Sequence, residues 1–439
     1  MSHRFGCAEI ALTIALTAIS AGASAQAPQP GYYDIPAGFD FPADKQTLEG
    51  YRATGNVSAQ RAHVWNVFAG MTQATPDGKY AIFETWYSED EAFDTGATPQ
   101  AVGPRHVVKR FSIPRQFSGA PGQPALEAAG DVLLSEVMLN FANYNFIRTK
   151  NLYSIQEQQN LLQTGQPDPE IANDKTVPAF PAESISLKTV WWPVAKDKPT
   201  PMPIWDPETN PSNPRGNRYQ TWTRAVVIDP TRTNIPPDET MTVNFHGPKP
   251  NSHVVGLDQF HYVLVDAQTA ANANANDRLK GFIGDVLGRP LQAGDYAVFA
   301  GTHLTTKEID DWVWATFWWH DRPDTGPFAA GRPDTVKGAW RNYLMNASYD
   351  LNLPLEPDGK PHIAFNPWLE AGFASLPGGD GNGSVSNCMN CHHRASIPVL
   401  PSPTFLPIYR GNPKPSDPAY AAGVLRTDYL WSIPFHSQP

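Results

Sequence analysis

Between residues 184 and 321 apolar and polar positions alternate in short runs. ISLKTVWWPV (185–194), RYQTWTRAVVID (218–229), MTVNFHG (241–247) and FHYVLVD (260–266) are rich in β-branched and aromatic residues, and clusters of Gly, Pro and Asn separate them. That combination predicts strands. DYAVFAGTHLTTKEI and WVWATFWWHD, spanning 295–321, predict two more strands or one hairpin. Earlier in the chain, KYAIFETWYSED predicts a strand near 79–87 and HVVKRFSI (106–113) another. GDVLLSEVMLNFANYNFIRTKN (130–151) places Val132, Leu133, Val137, Leu139, Phe141 and Tyr144 at helical spacing. It predicts a helix, continuing into YSIQEQQNLLQTG after a break. ANDRLKGFIGDVL (275–287) predicts a short helix.

Strands outnumber helices and do not alternate with them as βαβ units would. The expected fold class is mainly β with helical additions, an α+β protein built on a large antiparallel β-rich body over 26–345. No fixed-period repeat is present. After about residue 345 the character changes. Residues 351–387 read mostly as loop, and Pro398, Pro401, Pro403, Pro407, Pro413, Pro415 and Pro418 follow. No helix runs through prolines so spaced. Residues 346–439 are therefore expected to be a loop-rich segment and tail packed on the body, anchored by VLRTDYLWSIPF (424–435).

The first 25 residues change the picture. Arg4 precedes an apolar run from Ile10 to Ile19, and Ala23-Ser24-Ala25 follows as a small-x-small site. This is the pattern of a secretory signal peptide, too short to span a membrane. The expected location is periplasmic or secreted. Elsewhere no apolar run approaches the ~20 residues of a membrane span. Arg4 and Glu9 leave together, so the formal net charge stays at −10, which argues against a nucleic-acid partner. Charged residues make up 17% and 44 of the 439 residues are proline; average chains carry ~25% and ~5%. Both suit a loop-rich exported protein. The acidic run SEDEAFD (88–94) and the cluster Lys307, Glu308, Asp310 and Asp311 read as solvated turns.

Of three cysteines, Cys7 lies in the leader, and Cys388 and Cys391 remain. A large exported chain with no others does not rely on a disulfide framework. The two stand in SVSNCMNCHHRAS as C-x-x-C-H with His392. This is the attachment pattern of a c-type haem. The two thiols add across the porphyrin vinyl groups, and the two-residue gap sets both sulfurs along one edge of the ring. The next residue presents its imidazole to the iron as proximal ligand. Three other readings compete. A thioredoxin-like pair needs a βαβ setting that GGDGNGSVSN does not offer. A structural zinc could use Cys388, Cys391 and His393, but no second ligand pair is present. A local disulfide is the third.

The usual small helical cytochrome c domain has its motif near the start and a distal methionine after it. Here no methionine follows His392, so the expected haem segment is not such a domain and the body must supply most of the pocket. CMNCHHRAS, HLTTKEIDDWVWATF (303–317) and TDYLWSIPF (427–435) together resemble a group of exported single-haem proteins in the broad cytochrome c family. In that group a W-x-W-x-T-F segment precedes a late S-C-x-x-C-H. The likeness covers about the last third of the chain, and here Asn387 stands where that group has Ser. The resemblance implies one covalent haem and is silent on substrate.

Function turns on the second axial position. A strong ligand there makes an electron carrier, whereas an open position permits ligand or peroxide chemistry. The candidates are His303, His320 and Met345, or none. His303 and His320 flank a stretch holding Trp312, Trp314, Trp318 and Trp319, read either as an ordinary core strand or as a haem-pocket wall. His303 with Lys307, or His320 with Arg322, could supply an acid–base group and a cation. The expected function is redox transfer through the one haem, with a partner protein or a small-molecule oxidant or reductant. A peroxidase- or oxygenase-like enzyme is the alternative, and a haem-based small-ligand binder the second.

Overall fold

The structure is a computed structural model and describes residues 27–94, 109–113, 132–169, 171, 173–206, 219–356, 359, 361–370, 388–399 and 423–436. The leader, 1–25, and the proline-rich stretch 400–422 lie outside the described residues.

The core is an antiparallel sheet of seven strands: β1 (Tyr87–Ser88), β2 (Leu134–Leu139), β3 (Ile185–Val194), β4 (Tyr262–Leu264), β5 (Tyr296–Thr306), β6 (Val313–Trp319) and β7 (Tyr343–Ser348). Their spatial order is β1-β2-β3-β5-β6-β7, with β4 pairing on β5. The fold is thus β-rich α+β, as the alternating runs led one to expect. β7 crosses position 345, so the body's last strand ends at Ser348.

Register divides the sheet into two faces, because directly opposed residues point the same way and neighbours along a strand point oppositely. His303 opposes Thr316 and Lys188, and Thr316 opposes Asn346. These four share a face with Trp314 and Trp318, two positions to either side of Thr316. Phe317 and Met345, also opposed, lie on the other face. That face is covered by the helix Val57–Met71, whose Phe68 stacks on Phe317 at 4.1 Å and whose Trp65 meets it edge-on at 5.1 Å. Both faces being covered, every residue of β6 is buried. This is why WVWATFWW reads as a continuous apolar run.

Gly70, inside the Val57–Met71 helix, lets the N-terminal strap close on it. A β-carbon there would fall 2.5 Å from Ile35 Cγ2 and 2.9 Å from Phe39 Cγ. Alanine gains ~1 kcal/mol of helix propensity, but overpacking costs about 1–3 kcal/mol. Gly70→Ala is expected to lower the urea unfolding midpoint, not raise it.

Three local expectations are corrected. The single helix over 130–151 is a strand, β2, followed by the helix Phe141–Thr149. β2 is buried on both faces, so its apolar residues do not alternate with polar ones and match helical spacing as well as their own. Asn140 makes the break: its Oδ1 accepts from Asn143 N (3.2 Å) as helix cap and from Ile185 N (2.8 Å). Near 79–87 only Tyr87–Ser88 is strand, because Ile82–Thr85 forms a 3-10 turn in which Glu84 caps Ala81 N at 2.8 Å. In the acidic run, Glu89–Phe93 is a short helix with a Ser88/Glu91 capping box, and Phe93 is buried.

A second sheet of four strands, each two residues long, joins the end of the chain to the body. Ser396–Ile397 pairs with Leu425–Arg426, which runs parallel to Lys175–Thr176, which in turn pairs with Gln166–Pro167. A third sheet (Thr200–Ile204, Arg224–Ile228, Pro248–Val255, Thr240–Asn244) stands beside the first. No helix among the described residues is long and apolar enough to cross a membrane.

Candidate functional site

Cys388–His392 forms one short helix. Met389, fully buried, pins it to the core, and Cys388 Sγ lies 3.4 Å from the Ala364 carbonyl. The side chain of Cys391 lies outside the described part of the molecule. The helix sets His392 against β6, with its ring 4.5 Å from that of Trp314.

His392 Nδ1 is 2.8 Å from the carbonyl oxygen of Tyr429. A carbonyl can only accept, so Nδ1 carries the proton and Nε2 keeps its lone pair. Burial pushes the ring's pKa down to about 3; the bond to Tyr429 opposes this, and the nearby charges of His303 and Lys188 add to it. The imidazole is therefore neutral, in the tautomer that coordinates a metal through Nε2. This donor set fits a haem iron.

The turn that presents Tyr429 is strained and clamped. Asp428 and Tyr429 have φ of +47° and +69°, and Trp312 has φ of +61°. Bulky residues rarely adopt such values, at about 1–3 kcal/mol each. Asp428 ties these segments together: Lys307 Nζ donates to it at 2.7 Å, Trp312 Nε1 at 3.2 Å and Phe180 N at 3.1 Å. Tyr429 donates its hydroxyl to Asp311 at 2.8 Å. Lys307 and Glu308, expected in a solvated turn, are instead buried. Glu308 accepts from Ala43 N (2.7 Å) and Thr306 Oγ1 (2.5 Å) and sits 3.1 Å from His63 Nε2. Lys307, being bonded to Asp428, is not a cation partner for His303.

The three distal candidates separate. Met345 is on the opposite face from Trp314, beneath the Val57–Met71 helix, where Arg61 holds its carbonyl at 3.0 Å. Side-chain alternation excludes it from the His392 side. His320 lies four residues beyond Thr316, about 13 Å further along at the usual strand rise. Its Nδ1 accepts from Arg322 N at 2.9 Å, and it neighbours Asp321 and Arg224. His303 is the one of the three whose charge bears on His392, and register puts it on the Trp314 face. Its Nε2 is 3.1 Å from Glu370 Oε1.

His393, a ligand in the zinc reading, packs its ring 5.2 Å from that of Tyr429. Among the described residues no three His, Cys, Asp or Glu side chains are arranged to hold a metal ion. Glu370, Asp428 and Tyr429 were invisible as site residues in the sequence. Asp428 and Tyr429 stood within a stretch singled out for its resemblance, but nothing marked the carboxylate of the one or the carbonyl of the other.

No family model, curated protein or solved structure matches this chain.

Proposed function

We propose that the chain is an exported c-type haem protein that carries one haem on Cys388 and Cys391, with His392 Nε2 as proximal iron ligand, and transfers electrons to or from a partner. The observation that carries this reading is the 2.8 Å bond from His392 Nδ1–H to the Tyr429 carbonyl. It orients a neutral imidazole with Nε2 free, immediately after the second cysteine of a C-x-x-C-H helix. When bound, the haem supplies a one-electron iron couple, and the protein supplies orientation and surroundings. Tyr429 raises the basicity of His392, and Trp314 walls the ring on one side against water. The N-terminal pattern supports export, where this attachment chemistry takes place.

A second reading, a peroxidase- or oxygenase-like enzyme, is favoured by His303 beside Glu370 on the Trp314 face, since such a pair can hold a proton near the iron. The test common to both is covalent attachment. Co-expression with a haem-maturation system should yield a band that keeps haem stain on a denaturing gel. The variant C388A/C391A should lose the stain entirely. An unstained wild-type band of the cleaved chain overturns the proposal.

A further inference from the structure

We infer that His63 is a redox-linked proton site: it takes up one proton when the haem iron is reduced and releases it on oxidation, with Glu308 and Tyr349 as its hydrogen-bond partners. This rests on the haem reading above.

His63, on the Val57–Met71 helix, is buried between two other buried titratable side chains. Its Nδ1 is 2.6 Å from the Tyr349 hydroxyl and its Nε2 is 3.1 Å from Glu308 Oε1. Glu308 already accepts from Ala43 N and Thr306 Oγ1, and it accepts from Nε2–H as a third donor. The neutral ring then keeps its lone pair on Nδ1, which accepts the Tyr349 O–H. The Tyr349 oxygen also lies 3.2 Å from the Gln60 carbonyl. A proton added at Nδ1 is donated to the phenol oxygen, and the hydroxyl turns to Gln60. Each state is fully hydrogen-bonded, and no heavy atom has to move between them. A buried donor without an acceptor is costly, and neither state contains one.

Two covalent neighbours tie this network to the His392 site. Tyr349 directly follows Ser348, which opposes Trp314 across β6 and β7, and the Trp314 ring is 4.5 Å from that of His392. Glu308 directly follows Lys307, which donates to Asp428, the residue before the Tyr429 that holds His392. Reduction removes one positive charge from the iron, and in a buried setting charges act on one another more strongly than in water. A proton on His63, beside the Glu308 carboxylate, is then favoured, and by reciprocity the proton favours the electron. The balance is one electron from the partner to the iron and one proton from solvent to Nδ1, both leaving on oxidation. The other charges packed here have their own partners. Lys307 pairs with Asp428, and Arg52 with Asp311 and Asp350, each at 2.7 Å. Arg61 bonds the carbonyls of Phe328, Ala330 and Met345. Tyr51, whose carbonyl accepts from Gln60 Nε2 at 3.0 Å, bears electrostatically on Tyr349.

Redox titration of the haem-loaded protein from about pH 5 to about pH 9, the range in which an imidazole changes charge, tests this. The wild-type reduction potential should fall as pH rises through this window. Reduction of the unmodified protein in weak buffer with an indicator dye should take up protons, a measurement that needs no variant to fold. H63Q should keep its haem stain and lose the pH dependence. Y349F leaves the protonated Nδ1–H without its acceptor, so the fall should move to lower pH. A wild-type potential that is flat across the window, reduction without proton uptake, or a pH dependence unchanged in H63Q each overturns the inference while leaving haem attachment intact. An unstained wild type fails the haem reading instead.

Discussion

Replacing Asp174 by alanine is expected to destabilise the chain by about 3–5 kcal/mol, the usual effect of stripping one partner from a buried ion pair. Asp174 is fully buried and holds the C-terminal segment to the body. Its Oδ2 accepts from Arg426 Nε (2.8 Å) and pairs with Nη2 at 2.7 Å, and its Oδ1 accepts from the backbone N–H of Gly423 (2.9 Å) and Val424 (3.3 Å). Alanine removes both acceptor oxygens and with them all four contacts, and leaves a guanidinium of 5% exposure without this carboxylate. The same segment carries Tyr429, so its loosening also frees His392 from its carbonyl partner. Urea unfolding gives the stability change, and limited proteolysis should cut the tail of D174A ahead of the body. Asp174→Asn, which keeps an acceptor for the two backbone groups, should fall between the two. A midpoint for D174A within error of wild type would show that the tail does not depend on this pair.

Lys109→Met should cost a similar ~3–5 kcal/mol, since it leaves two carboxylates buried without their cation. Lys109 Nζ lies 3.1 Å from Glu136 and 3.4 Å from Glu84 and sits over the ring of Trp191 at 4.9 Å. Burial works to lower its pKa, but Glu136 and Glu84 together raise it, so it stays charged. For Glu84 burial raises the pKa, yet His261 and Lys109 outweigh it and bring the carboxyl down to about 2. A folded value below the ordinary carboxylate range means stability that is present above about pH 4.5 and lost as pH falls towards 2. The amount is on the order of 3 kcal/mol. Wild-type unfolding midpoints measured from pH 7 to pH 2 should fall across that window. In K109M the fall should begin at higher pH, because burial then goes less opposed. Identical pH profiles for the two proteins would dissociate Lys109 from Glu84.

Much of the architecture was legible along the chain. Residues 185–194, with alternation at their start and an apolar end, became β3, and 295–321 became the hairpin of β5 and β6. Asp277–Leu287 formed the expected short helix. The reason is local: strand side chains repeat every two residues and helical ones every 3.6, so burial on one side writes itself into order. Where burial is two-sided that signal vanishes, which is why 130–151 has helical spacing yet folds as a strand and then a helix. Sequence order also showed which cysteines and histidine belong together, because C-x-x-C-H is contiguous and its chemistry is set by spacing.

Tertiary structure alone decided what surrounds that motif. Met345 and His303 were equal candidates on paper. Register separated them, since one residue's shift along a strand moves a side chain to the opposite face. Lys307 and Glu308 looked like solvent charges, yet partners more than 100 residues distant, Asp428 and His63, draw them inside. The Tyr429 carbonyl is a backbone atom that any residue would offer. Its role arises from a left-handed turn held by Asp428, which no residue type announces. Composition and period determine which elements form and which residues carry chemistry. Pairing across long separations decides which of those residues meet, because contacts between distant segments leave no pattern in either segment alone.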